Sequence, residues 1–178
     1  MALSKITNDG VATSGLPAGS VLQVVQATKT DATALACTST WTAIPAQGGS
    51  GTFSASITPS STSSKIMVFV DLHGGATGAQ VVRAQLRRDG TAIYQGDSDG
   101  SRPLGFTQVY TGDDVAVLSM TAKFLDSPAT TSAVTYELYA GTDNTSGVAY
   151  INRSGRDGAV GGYDTRTASS IVLMEISG

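Results

Sequence analysis

Apolar and polar residues alternate along most of this chain in short runs, each closed by turn-forming residues. From Ser20 onward the runs are 5–11 residues long, the length of strands. Val21–Val25 is a β-branched run, and Thr38–Ile44 carries Trp41. Thr52–Ile57 alternates strictly, which turns Phe53, Ala55 and Ile57 toward a core. Lys65–Leu72 reads as a strong strand closed by Gly74-Gly75. Asp89-Gly90 separates Val81–Arg88 from Thr91–Gln95 and predicts a type I′ hairpin, because both central positions need positive φ. Further strands are expected at Leu104–Tyr110, Val115–Leu125, Val134–Ala140, Val148–Asn152 and Ser169–Ile176. In the second of these, Ala116, Leu118, Met120, Ala122 and Phe124 share one face. Amphipathic helical periodicity is absent, so the spacing predicts an all-β sandwich or jelly roll.

Two strands break the alternation. Ile171–Ile176 is apolar on both faces, and Ile66–Val70 sets Ile66, Val68 and Val70 against Met67 and Phe69. An antiparallel sandwich strand ordinarily keeps one face wet. A loop folded over the outer face is one explanation. Contact with another subunit is the preferred one, because two separate strands show the feature and no helix is expected to cover them.

Residues 1–18 read differently. Leu3, Ile6, Val11 and Leu16 are scattered among Ser, Thr, Asn, Asp and Gly, and Pro17 and Gly19 punctuate the end. The expected organisation is an extended N-terminal arm, 1–18, ahead of one domain, 19–178.

Composition narrows the function classes. Charged residues make up 14% of the 178, well under the ~25% of an average domain. The formal net charge of −3 argues against nucleic acid, which needs a concentrated basic patch. The local cluster Arg83, Arg87 and Arg88 has no counterpart elsewhere in the sequence. With one cysteine, Cys37, no intrachain disulfide can form. The first ten residues contain no signal-peptide-like apolar run, and no segment approaches the ~18 apolar residues of a membrane helix. Synthesis in a cytoplasm, without membrane insertion, is the expectation.

Candidate chemistry is thin. His73 is the single histidine and has no evident nucleophile or carboxylate partner. Asp97-Ser98-Asp99-Gly100 matches part of a calcium loop but lacks its later ligands. Asp71 and Glu137 are the carboxylates a glycosidase reading would call on, yet aromatics total only 6%. The glycines of 155–162 lack phosphate-loop spacing. The expectation is a non-enzyme with no catalytic residues, no metal and no cofactor.

Four strings occur in order: Pro59-Ser60-Ser61-Thr62-Ser63-Ser64-Lys65-Ile66, Phe124-Leu125-Asp126-Ser127-Pro128, Tyr150-Ile151-Asn152-Arg153-Ser154, and Thr167 through Ile176. Together they resemble a β-rich virion structural module of tailed bacteriophages, of the tail-fibre and decoration type, over residues 19–178. That resemblance implies an antiparallel jelly roll like the tumour-necrosis-factor and C1q heads, usually a homotrimer, with no catalytic residues. It implies a place on the virion surface after synthesis in the bacterial host cytoplasm. Capsid decoration, as a head fibre, is the favoured expectation. A tail-fibre or tail-tip receptor-binding protein contacting host glycan or protein is the alternative, and a glycan depolymerase a distant third.

These readings assign roles to residues. Leu3, Ile6, Val11 and Leu16 are expected to attach the arm to another virion protein, in the capsid shell or the tail. Met67, Phe69, Val172 and Met174 are expected at the subunit interface. Asp97, Asp99, Arg102, Arg156 and Tyr163 mark two loops expected to form a recognition surface.

Overall fold

A computed structural model describes residues 16–37, 41–143, 147–159 and 162–178. Leu3, Ile6 and Val11 lie outside the described residues. Among these residues twelve strands form two six-stranded antiparallel sheets. The first sheet orders β1 (Val21–Lys29), β12 (Ser169–Ile176), β5 (Lys65–Ala76) and β9 (Leu118–Asp126) side by side. Beyond the end of β12, the last residues of β5 pair with β11 (Val148–Ile151), which carries β2 (Thr33–Ala36).

The second sheet is built on β10 (Val134–Thr142) and β6 (Val81–Arg88). β4 (Ser54–Ile57) and β3 (Thr42–Ala43) follow each other along the free edge of β10. β7 (Thr91–Ile93) and β8 (Thr107–Tyr110) do the same along β6. The main strands therefore run β1-β12-β5-β9 and β4-β10-β6-β8, the interleaved order of a jelly roll.

Alternation sends every second side chain between the sheets. Ile66, Val68, Val70 and Leu72 of β5, with Ile171 and Leu173 of β12, meet Tyr136, Leu138 and Ala140 of β10 and Val82, Ala84 and Leu86 of β6. Each large apolar side chain so buried stabilises the fold by roughly 1.5–3 kcal/mol. Phe53, Ala55 and Ile57 are buried as their alternation predicts. Asp89 and Gly90 take φ of 49° and 79°, the double positive φ of the expected hairpin.

Several expected boundaries move. The glycines after His73 do not close a strand: β5 continues through Gly74 and Gly75 to Ala76. They are glycines because neighbours approach the backbone. A Cβ on Gly75 would stand 2.7 Å from the Ala116 carbonyl oxygen and 2.8 Å from that of Arg153. β2 falls in a stretch whose composition gave no strand signal, and pairing with β11 creates it. Of the expected strand through Trp41, residues 38–40 lie outside the described residues and Thr42–Ala43 is strand; the one at Leu104 begins only at Thr107.

The sandwich has two distinct ends. Gly19 donates its amide to the Ser177 carbonyl and Ser177 returns one to Ser20, each at 2.8 Å, so the chain joins the fold at Gly19 beside its C-terminus. The 58–64 turn and the Asp89-Gly90 hairpin lie at this end, where β5 begins and β6 finishes. The segments 111–117, 152–159 and 162–168 lie at the other, about 36 Å away along the twelve residues of β5.

Candidate assembly face

Residues of the first sheet that do not enter the core form a second surface, and register orders it. Val24 pairs with Met174, Met174 with Met67, and Met67 with Leu125. Odd residues of β5 and even residues of β12 point away from the other sheet, so these four form one apolar row across four strands. At ~4.8 Å per strand the row is about 14 Å long. Its ends, Val24 and Leu125, are 55% and 45% exposed. The next row is Gln26, Val172, Phe69 and Lys123, and the one beyond it Thr28, Ser170, Asp71 and Thr121. All four residues expected at a subunit interface, Met67, Phe69, Val172 and Met174, thus fall in two adjacent rows of one face, each half-buried. A shallow depression of about 300 Å³ lies beside Phe69, between Asp71, Lys123 and Ser170.

His73 belongs to the same face. Its Nδ1 lies 2.8 Å from the Ala168 carbonyl and its Nε2 3.8 Å from Asp71. Ser169 Oγ receives the His73 backbone amide at 3.0 Å, so the neighbourhood is held by strand-end hydrogen bonds. Among the described residues no three His, Cys, Asp or Glu side chains converge as a metal site would require.

The two expected recognition loops do not share a place. Asp97, Asp99 and Arg102 are exposed on the segment 94–106, which crosses the outer side of the second sheet. Gln85 and Gln95 both donate to its Leu104 carbonyl, and Phe106 donates its amide to Ala84. Arg102 pairs with Asp99, and Asp113 accepts the amides of Val115 and Ala116. Arg156 and Tyr163 lie instead at the end of the sandwich remote from Gly19, with the guanidinium 5.8 Å from the Tyr163 ring. Arg156 donates to Asp164 at 2.8 Å, which holds the Asp164 carboxyl below its ordinary range. Tyr163 is 66% exposed.

Leu16, the one expected arm anchor among the described residues, is half-buried. It lines a depression with Leu22, Ser60, Ser63, Ser177 and Gly178 at the Gly19 end. Sequence reasoning did not find Val24 and Leu125, which complete the apolar row. Both lie in runs that already read as strands, but only strand register shows that they align with Met67 and Met174. No family model matches this chain, and no curated protein matches it.

Proposed function

We propose that this chain is a structural protein of a bacteriophage particle, a homotrimer displayed on the virion surface, attached through residues 1–18 and most simply serving as a capsid decoration. The observation that carries the assembly is the row Val24–Met174–Met67–Leu125 on the outward face of β1-β12-β5-β9. An apolar row backed by Val172 and Phe69 is a poor surface to leave in water and a good one to bury against copies of itself. The row alone is smaller than the ~800 Å² per partner of a standard interface, so the flanking polar rows take part in the contact.

The ends of the sandwich support the display. The arm enters at Gly19, beside the C-terminus, while Arg156 and Tyr163 sit at the opposite end, where a mounted trimer would present them outward. The side chains that would serve a depolymerase are dispersed: Asp71 lies on the first sheet and Glu137 on the second, where it accepts the Gly90 amide at 3.0 Å. The chain is accordingly proposed as a non-enzyme.

The deciding experiment adds full-length protein, and protein lacking residues 1–18, to emptied phage heads and to host cells. Binding of the full-length form to heads alone, lost on truncation, is the expected result. Binding of both forms to cells and of neither to heads would make it a receptor-binding tail module instead.

A further inference from the structure

Five of the arginines are matched to carboxylates: Arg88 to Asp126, Arg102 to Asp99, Arg153 and Arg166 to Asp157, and Arg156 to Asp164. Arg83 and Arg87 have no ion pair among the described residues. Both are outward residues of β6, four apart and hence about 13 Å apart along one face. Each guanidinium instead stands over an aromatic ring, Arg83 at 5.7 Å from Trp41 and Arg87 at 3.8 Å from Tyr139. Glu137 lies opposite Arg87 in register, but its carboxylate takes the Gly90 amide. In a chain of net charge −3, two uncompensated cations backed by rings on one sheet face are a local exception.

Arg83 also borders a cleft. The cleft measures about 180 Å³ and is lined by Trp41, Arg83, Gly105, Phe106, Thr107 and Gln108, among others. Gly105 is required for its shape: a Cβ there would stand 2.5 Å from the Ala84 carbonyl oxygen and 3.0 Å from the Trp41 ring. Among the described residues the Arg83 guanidinium makes one hydrogen bond, from Nη2 to the Thr142 carbonyl, and its Nε is buried with no partner. A guanidinium with no carboxylate partner leaves charge to be met, and an anionic oxygen reaching it from the cleft makes a charge-assisted hydrogen bond. Gln108, opposite Arg83 in register, offers an exposed amide at the rim.

We propose that this cleft binds a single ring of an acidic saccharide. Arg83 receives the anionic group, the Trp41 face packs against the C–H surface of the sugar, and Gln108 hydrogen-bonds its hydroxyls. The volume suits one ring, being below the ~300–1,000 Å³ of a site that encloses a larger ligand. One cation per cleft suits a chain with one charge per sugar unit, and the acidic balance of the protein disfavours densely charged nucleic acid. The cleft lies on the sheet opposite the proposed contact face, so it is open in monomer and trimer alike. Its failure would leave the assembly reading untouched, and the converse also holds.

Trp41 is the sole tryptophan, so its emission reports the cleft directly. The full-length chain is titrated with a glucuronate-containing disaccharide, a neutral glucose disaccharide and inorganic phosphate. The expected result is a saturable change with the acidic sugar, at least about tenfold weaker with the neutral one and weakened by salt. Arg83→Met, with its fold verified by circular dichroism, should abolish the change. If that variant does not fold, Gln108→Ala decides by a severalfold loss of affinity. No saturable change, an equal response to the neutral sugar or to phosphate, or unaltered binding by the deciding variant overturns the proposal.

Discussion

Tyr136 donates its phenolic hydrogen to Asp126 across the sandwich, with Oη and Oδ2 2.7 Å apart and both residues buried. Tyr136 comes from β10 of the second sheet and Asp126 from the end of β9 in the first. Arg88 Nη1 reaches the same carboxylate at 2.7 and 2.9 Å. A buried carboxylate with two donors is thereby shared between the sheets, at the end of the sandwich where the chain enters.

Removing one donor should cost less than removing the acceptor. Tyr136→Phe leaves Asp126 paired with Arg88 and should destabilise by about 1–2 kcal/mol. Asp126→Ala strands a cation and a phenol and should cost about 3–5 kcal/mol. Urea unfolding with unchanged m-values checks the order; equal losses would mean that the Tyr136 hydroxyl alone accounts for what the carboxylate contributes.

The same contact has an alkaline signature. Burial first, and then the hydrogen bond to Asp126, raise the Tyr136 phenol well above its ordinary value of 10.0. The folded state keeps this proton while the unfolded chain releases it, so stability is full below about pH 10 and falls as pH rises further. Tyr136→Phe should lose less stability than the wild type above about pH 10, measured as parallel urea midpoints.

Glu175 supplies the acid signature. It is 1% exposed. Ser60 donates both its amide and its hydroxyl to Oε1, and Gln23 donates to Oε2, all at 2.6 Å. Burial pushes this carboxyl up, but the hydrogen bonds outweigh it and the net direction is below the ordinary 4.5. Its contribution is therefore present above about pH 4.5 and lost as pH falls below that. Glu175→Gln should cost about 1–3 kcal/mol near neutral pH, and the difference from wild type should shrink on acidification. A pH-independent difference in unfolding midpoint would refute this.

The two glycines of β5 should respond unequally. A Cβ on Gly74 meets the terminal methyl of Met120 at 2.7 Å, a group that can swing away. On Gly75 it meets two backbone oxygens that cannot. Gly75→Ala should cost about 1–3 kcal/mol and lower Tm by roughly 2–4 °C per kcal/mol, with Gly74→Ala well under half of that.

The assembly face is tested at its exposed edge. Leu125→Lys changes a side chain that is 45% exposed, so the fold should survive while the proposed trimer dissociates to single chains in light scattering. Val172→Asp, nearer the middle of the face, should dissociate the proposed trimer or prevent folding. A folded, trimeric Leu125→Lys and Val172→Asp pair would remove β1-β12-β5-β9 as the contact face.

The sequence by itself determined the all-β class, most strand positions, the Asp89-Gly90 hairpin and the two-faced character of β5 and β12. These follow from local rules: a strand repeats every two residues, and positive φ at two successive turn positions selects Asp-Gly. Tertiary structure alone decided which strands are neighbours, and everything that depends on that. Pairing across more than a hundred residues places Glu175 against Ser60, and Lys29, fully buried, gives its backbone carbonyl to Asn152. Alternation places both on the inward phase of their strands, Glu175 with Ile171 and Leu173 and Lys29 with Val25 and Ala27, but whether a charge can stay buried there depends on which partners arrive. The row Val24–Met174–Met67–Leu125 and the Trp41–Arg83 cleft have the same origin. Each joins residues whose side chains are ordinary in their own strands, and register between distant strands brings them to one surface.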